Sequence, residues 1–183
     1  MSQKALKKKV YLAVAGRRHL EHAGAVHATA AGEREQASRH APRANWVVIP
    51  NLLDLSAYRT LPPESLARDA FPLSPAGPNV LFLSRVHYKK GVDVLLRAGA
   101  ILKQKHPGLR VLIAGRGDDA YFAEQKALAS SLGLDGCAHF LGQVVGEQKL
   151  ALYRACDVFA LPTSQENFGF VFFEALACGT PLV

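Results

Sequence analysis

The sequence lacks any long uninterrupted run of apolar residues. No run approaches the roughly 20 residues that a helix needs to cross a bilayer. The apolar stretch 10–15 is short for the core of a signal peptide and leads directly into Arg17 and Arg18. Hydrophobic residues still make up 49% of the 183 residues and charged residues 20%. This composition is typical of a globular, soluble protein and excludes a disordered one.

Cysteine is also scarce. The three cysteines, Cys137, Cys156 and Cys178, are widely spaced and lie among apolar or small residues. An odd number without paired spacing indicates reduced thiols in a cytoplasmic protein. Since no Cys or His pair has the spacing of zinc ligands, we expect no zinc site.

Acidic residues are few in the N-terminal part of the chain. Residues 1–50 hold nine Lys and Arg against three Glu, whereas the rest is nearly balanced, and the net charge is +7. Aromatic and basic residues are not interleaved as on a base-stacking surface, so we expect no nucleic-acid partner. Two interpretations of the basic helix remain open, a solvated face and peripheral contact with the inner face of a membrane.

The first 78 residues contain short elements and then many prolines. Apolar spacing predicts a helix at 3–23, a strand at 25–29, a polar helix at 30–40 and a strand at 46–49. These resemble the tail of an α/β layer. Six of the ten prolines follow, at positions 50, 62, 63, 72, 75 and 78. This composition predicts an irregular linker over 51–78 between two bodies.

From residue 79 onward, apolar strands alternate regularly with helices. The predicted strands are 80–83, 109–114, 138–141, 158–161 and 181–183, and the predicted helices are 91–105, 118–132, 147–155 and 169–177. Near-continuous apolar strands between helices indicate an α/β fold, a Rossmann-like parallel sheet with helices on both faces. Because the sequence stops inside the last strand, we expect a chain that is truncated at its C-terminus and is also preceded by further sequence.

Ligands of open parallel sheets bind at the carboxyl ends of the strands, so the loops there are candidates for function. Arg85 and Lys90 follow the first of these strands, and they offer a planar fork and a point charge that suit a diphosphate without a metal. A solvated basic loop is the alternative. Gly115 and Gly117 follow the second strand and let backbone approach a ligand, but the segment lacks the third glycine of a dinucleotide fingerprint. An ordinary tight turn is therefore favoured there.

The loop and helix after the fourth strand carry two glutamates. Glu166 lies in the loop, and Gly169 can open a helix whose first amides favour an anion. Glu174 lies further along that helix among apolar residues. An unpaired buried carboxylate is destabilising by several kcal/mol, so Glu174 needs a partner. A ribose diol would suit, because two hydroxyls can donate to one carboxylate; a rim position that faces water is the alternative.

These motifs resemble a known family. Glu166 and Glu174, eight positions apart around Asn-Phe-Gly, are similar to the paired-glutamate signature of family-four retaining glycosyltransferases, which have the GT-B fold. The similarity continues to Pro181 through Ala-Leu-Ala-Cys-Gly-Thr. Other similar segments are Val48–Asn51 with Asp54, Ser84-Arg85 with Lys90-Gly91, 140–142 and 155–162. The family usually has Gly in place of Ser84. The segments follow the family order over about 46–183.

The resemblance implies an activity and a role for each motif. The family transfers a hexose from a nucleotide-diphosphate sugar, here a UDP- or GDP-sugar, to a glycan or lipid-type acceptor, with retention and without a metal, so we expect no metal site and no bound cofactor. Arg85 and Lys90 would bind the diphosphate and stabilise the leaving group. Glu166 would contact the transferred sugar, and Glu174 would hold the ribose hydroxyls.

The resemblance also assigns main-chain contacts. The base would lie against main chain near Gln143 and Val144, and amides of Phe168, Gly169 and Phe170 would face the sugar or phosphate beside Asn167.

The domain organisation follows from the same resemblance. Residues 1–50 would end the acceptor-side domain, 51–78 would link the domains, and 79–183 would form the donor-nucleotide domain. The family's acceptor-side histidine falls earlier than this chain, so we expect the chain alone to be inactive. A sugar-nucleotide epimerase of the same architecture and an inactive nucleotide-sugar-binding fragment remain alternatives.

Overall fold

The structure is a computed structural model that describes Lys7, residues 9–164, Glu166 and residues 168–183. The chain divides into two compact units, Met1–Leu52 and Leu53–Val183. Within the described part of the chain, no helix combines the length and apolarity that crossing a membrane requires.

The first unit contains a two-stranded parallel sheet. A π-helical turn, Leu12–Gly16, leads into α1, Arg17–His22, and is followed by β1, Val26–Ala28, α2, Ala31–Ser38, and β2, Trp46–Val48. The strands pair with Val26 opposite Trp46. The elements match the predicted ones within a few residues, except that the start of the first predicted helix lies outside the described residues.

The second unit is built around a four-stranded parallel sheet. Its strands are β3, Asn79–Leu83, β4, Arg110–Ala114, β5, Ala138–Gly142, and β6, Val158–Phe159. They lie in the order β5-β4-β3-β6, and every neighbouring pair is parallel. Leu182 forms a parallel bridge to Phe159 beyond β6, where a further strand was predicted.

Helices connect these strands and cover both faces of the sheet. After a 3-10 turn at Tyr88–Lys90 come α4, Val92–Lys105, α5, Asp119–Ser131, α6, Gly146–Ala155, and α7, Phe170–Ala177. Asp118 caps α5 by accepting a hydrogen bond from the amide of Tyr121 at 3.2 Å, as aspartate does at many helix N-termini. The predicted Rossmann-like α/β fold is therefore confirmed.

The core lies on the two central strands. Leu81 and Phe82 on β3 and Leu112 and Ile113 on β4 are fully buried, because helices pack on both sides of the sheet. Strand β5 forms an edge and is partly exposed along its length. This burial explains why β3 and β4 have nearly continuous apolar sequences.

The predicted irregular segment 51–78 contains structure that the sequence did not predict. A 3-10 turn spans Ser56–Tyr58, and a helix, which we call α3 and which precedes β3, spans Ser65–Ala70 and packs on α6. The helix begins two residues after Pro63, whose carbonyl accepts a hydrogen bond from the amide of Leu66 at 3.2 Å. The segment 51–78 is therefore not irregular throughout, and its role as a linker between two domains stays a prediction.

Candidate functional site

The carboxyl ends of the strands share one edge of the sheet because all the strands are parallel. The loops after β3 and β4 run together there, and the amide of Val86 donates to the carbonyl of Arg116 at 2.9 Å. A Cβ on Gly115 would lie 1.8 Å from the carbonyl oxygen of Ser84, and one on Gly117 would lie 1.8 Å from that of Val86. The two glycines therefore allow the loop after β3 to approach closely. The sequence-based interpretations, a tight turn or a contact with a ligand, did not include this contact between loops.

A cavity opens between the loops that follow β3, β4 and β5. Its volume is about 340 Å³. The residues that line it include Ser84, Arg85, Gly115, Arg116, Gln143 and Val144. It therefore brings together three residues that the resemblance assigned to a nucleotide: Arg85, Gln143 and Val144. Arg116 adds a second guanidinium that the sequence did not single out.

The loop after β6 is fixed against the loop after β3. The backbone carbonyl of Lys89 accepts from the amide of Ser164 at 2.9 Å and from the hydroxyl of Thr163 at 3.1 Å. Gly91 has φ +69°, and a Cβ there would lie 2.1 Å from the carbonyl oxygen of Pro162. Only a glycine permits this close contact, which places the two loops side by side.

Across this contact, Lys90 and Glu166 form an ion pair in which the ammonium donates to Oε2 of the carboxylate. Both side chains are mostly buried, with 11% and 27% exposed, respectively. The sequence assigned Lys90 to a phosphate and Glu166 to a sugar, and did not predict that they pair. An ammonium has three donors, so Lys90 can stay paired with Glu166 and still donate to a bound anion.

Helix α7 begins beside Glu166. Gly169 is its N-cap with φ +68°, as expected for a glycine that opens the helix. A Cβ at Gly169 would come within 3.0 Å of Cγ of Glu166. The ring of Phe168 packs on those of Phe170 and Phe173, with centroids 4.9 and 5.2 Å away. The remaining predicted residue of this segment, Asn167, lies outside the described residues.

Glu174 projects from α7 towards α6, and two side chains of that helix donate to it. Its Oε1 accepts from Nζ of Lys149 at 2.9 Å, and its Oε2 accepts from the hydroxyl of Tyr153 at 3.2 Å. The carboxylate side chain is 15% exposed. The need of Glu174 for a partner is thus met within the protein, and its contact with a ribose diol stays a prediction.

The charge of Glu174 affects its neighbours. Burial, followed by the nearby carboxylate of Glu174, raises the pKa of Tyr58 to about 12. The same two causes, in the same order, raise the pKa of Tyr153 further and that of the Cys178 thiol to about 11. These groups therefore stay protonated at neutral pH, and the two phenols remain hydrogen-bond donors.

Lys149, Tyr153 and Arg116 were missed by the sequence-based reasoning. Lys149 and Tyr153 lie on α6, where the helical pattern gave no reason to separate them from ordinary surface and core residues. Arg116 lies between the two glycines after β4, and a cation at the end of a central strand was an available signal. In the described part of the chain, no group of His, Cys, Asp and Glu has a geometry that could hold a metal.

The match to a known family falls within the second unit. The family described as "Glycosyl transferases group 1" matches residues 66–183. A D-inositol 3-phosphate glycosyltransferase of Saccharomonospora viridis is 40% identical over 151 residues, which cover 78% of this chain and 34% of that protein. The relative of the same name from Rhodococcus opacus is 38% identical over 159 residues, covering 82% and 35%. The chain thus spans about a third of the length of these relatives.

Solved structures agree on the fold. Anabaena HepE, in complex with UDP and glucose, has a TM-score of 0.79 at 25% identity, over 95% of this chain and 47% of its own. Sucrose-phosphate synthase from Thermosynechococcus elongatus has a TM-score of 0.77 at 29% identity, over 99% of this chain and 45% of its own. The structural neighbours are GT-B enzymes. With its parallel sheet, its loops at the carboxyl edge and its paired glutamates, the chain belongs to the group 1 glycosyl transferase family.

Proposed function

We propose that this chain holds the nucleotide-diphosphate part of a sugar donor, in a retaining transferase that passes a hexose to a glycan or lipid-type acceptor. The observation that carries the proposal is the placement of Arg85 and the Lys90–Glu166 pair on adjoining loops at the carboxyl edge of the sheet. Helix α7, which starts at the same edge, carries Glu174. UDP- and GDP-sugars are the donors to test.

The chemistry of sugar transfer explains why two cations would be needed at this site. The bond from the anomeric carbon to the diphosphate breaks, so negative charge grows on the leaving oxygen while the sugar becomes oxocarbenium-like. Arg85 would grip the diphosphate with its planar guanidinium, and Lys90 would add a point charge. Placed cations in a cleft stabilise this charge without reorganisation, and the proposed reaction needs no metal.

Glu166 has a second role in the proposal. Its contact with Lys90 holds the carboxylate beside the cation proposed for the diphosphate, where the sugar would follow. A carboxylate there can accept a hydrogen bond from a sugar hydroxyl. The amides of Phe168, Gly169 and Phe170 at the start of α7, beside Asn167, would face the sugar or phosphate, since helix N-termini favour anions.

The base would enter the cavity between the loops after β3, β4 and β5. Gln143 and Val144 line it on one side and Arg85 on another, so a base held by main chain at residue 143 or 144 would leave its phosphates near Arg85. The curated relatives are named for D-inositol 3-phosphate. A phosphorylated polyol therefore joins glycans and lipids among the acceptors to assay.

Calorimetry with UDP and GDP tests the diphosphate site. We expect Arg85→Ala and Lys90→Ala each to weaken binding of the preferred nucleotide by about tenfold or more, because each removes a charge-assisted contact to phosphate. Lys105→Ala, which removes an exposed lysine at the end of α4, is the control and should leave the affinity unchanged. Unaltered affinity in both site variants would reject the diphosphate role.

Product analysis separates the alternatives. A sugar-nucleotide epimerase would return an altered sugar nucleotide without an acceptor, whereas a transferase needs one. The segment from Glu166 to Gly169 with Glu174 favours the transferase. An inactive nucleotide-sugar-binding fragment would bind UDP or GDP and form neither product. We expect no transfer from the 183-residue chain itself, because the acceptor-side residues of the family are not among its motifs.

A second candidate role concerns the N-terminal helix. Val10, Tyr11 and Val14 are exposed and lie close to Lys7 around an open apolar groove. This arrangement is compatible with a helix that rests on a membrane surface. Co-sedimentation with anionic and with neutral vesicles tests the role, and equal recovery with both would leave only a solvated helix face.

A further inference from the structure

Two donors from α6 hold Glu174. Lys149 donates to Oε1 and Tyr153 donates to Oε2, and the phenol of Tyr58 also interacts with the carboxylate. A carboxylate has two lone pairs on each of its two oxygens. These three neighbours therefore leave acceptor capacity for a ligand hydroxyl.

Tyr153 is fixed by the core. Its side chain is among the largest that are fully buried, and its ring packs on Phe159 with centroids 5.6 Å apart. The hydroxyl of Thr180 donates to its backbone carbonyl at 2.7 Å. The phenol is therefore held rigidly where it donates to Glu174. The packing of α6 against β6 thus determines the position of Oε2.

Lys149 places a positive charge on the other oxygen. It lies in the first turn of α6 with 24% of its side chain exposed. The loop that leads into this helix carries Gln143 and Val144, which line the cavity between the strand ends. Lys149 thus lies on the helix that directly follows this loop, and it pairs with the carboxylate proposed for the ribose.

We propose that Lys149 and Tyr153 are positioning residues that hold the Glu174 carboxylate in the orientation in which its remaining acceptor capacity meets the ribose hydroxyls of the donor. The inference rests on the proposed function, because it assumes that a nucleotide diphosphate binds here. Without either donor, a largely buried carboxylate would lose a partner and turn towards the other donor or towards water. The affinity for the ribose hydroxyls would then fall, although neither residue contacts them.

The test compares the affinities of UDP and 2′-deoxy-UDP by calorimetry, or of GDP and 2′-deoxy-GDP if GDP binds more tightly. We expect the unaltered chain to bind the ribonucleotide about tenfold more tightly, as a hydrogen bond to a carboxylate implies. In Lys149→Met and Tyr153→Phe this ratio should fall towards one, while the affinity for the deoxynucleotide stays nearly constant. Lys149→Arg, which keeps a cation, should restore most of the ratio.

A double variant shows whether Lys149 acts through Glu174. Glu174→Gln alone should remove the discrimination, and adding Lys149→Met should lower the ratio no further. Lys105→Met, on an exposed lysine, should leave it unchanged. Tyr153→Phe keeps the buried ring and guards against a result that comes from unfolding.

The failures of the two proposals are distinguishable. Equal weakening of both nucleotides in Lys149→Met, or an unchanged ratio in both Lys149→Met and Tyr153→Phe, would overturn the positioning role and leave the proposed function intact. No binding of UDP or GDP by the unaltered chain would overturn the proposed function and this inference with it.

Discussion

At the scale of single residues, the negative charges of the two signature glutamates, Glu166 and Glu174, have different partners. Glu166 pairs with one lysine from the loop after β3. Glu174 is more deeply buried and is held by a lysine and a tyrosine from α6. Each carboxylate thus has a cation before any donor arrives. A bound nucleotide would therefore share Lys90 and Lys149 with the two glutamates. It would not be needed to neutralise the charge of any of these side chains.

His139 gives a prediction about pH. Its Nε2 is buried and has no hydrogen-bond partner in the described part of the chain. Burial, followed by the charge of Arg110, lowers the pKa of His139 below its ordinary value near 6.5. The unfolded state thus protonates His139 more readily than the folded state does. The free energy of unfolding therefore falls as the pH drops below about 6.5.

We expect His139→Leu to remove part of this pH dependence. The urea midpoints of the two proteins, measured between pH 7.5 and pH 5, should show a shallower decline for the variant. His106→Leu, at an exposed position after α4, should keep the slope of the original chain. Parallel slopes for the original chain and His139→Leu would show that His139 does not contribute.

At the scale of elements, the contact between two loops depends on one glycine. Gly91 and Gly133 have nearly the same backbone, with φ +69° and +68°, but a Cβ on Gly91 would meet the Pro162 carbonyl at 2.1 Å whereas one on Gly133 meets nothing within 4 Å. Gly133→Ala should therefore destabilise the fold by about 1 kcal/mol through φ alone. Gly91→Ala should destabilise it by at least about twice that amount.

Urea unfolding measures both effects, and calorimetry with UDP or GDP adds a functional reading. Because Lys90 precedes Gly91, a shift of this loop should also weaken nucleotide binding, whereas Gly133→Ala should not. Equal losses of stability in the two variants would mean that the loops separate easily and that the close contact is not needed to hold the site.

The elements themselves were largely predictable from the sequence. Strands β3 and β4 are apolar throughout because both faces are buried, and the helices between them show the spacing of one covered face. Helix α3 escaped prediction, because it is six residues long and lies among prolines. The pairing of Lys149 with Glu174 was not predicted either, because residue spacing along α6 and α7 does not indicate which side chains come into contact when the helices pack.

At the scale of the whole chain, the two units differ in core and in charge. The hydrophobic cluster found in the described residues runs from Tyr58 to Leu182 and draws no side chain from the first unit. Most of the net positive charge lies in residues 1–50. The proposed donor site, from Arg85 to Glu174, lies entirely in the second unit.

We therefore expect a chain that starts at Leu53 to fold and to bind UDP or GDP within about twofold of the affinity of the 183-residue chain, since it keeps every proposed contact and its own core. Circular dichroism would report folding and calorimetry would report binding. Arg85→Ala in the shortened chain should still weaken binding about tenfold, which shows that the same site is measured. If the shortened chain folds but binds at least tenfold more weakly, the first unit contributes to the donor site, and the assignment of that site to the second unit alone fails.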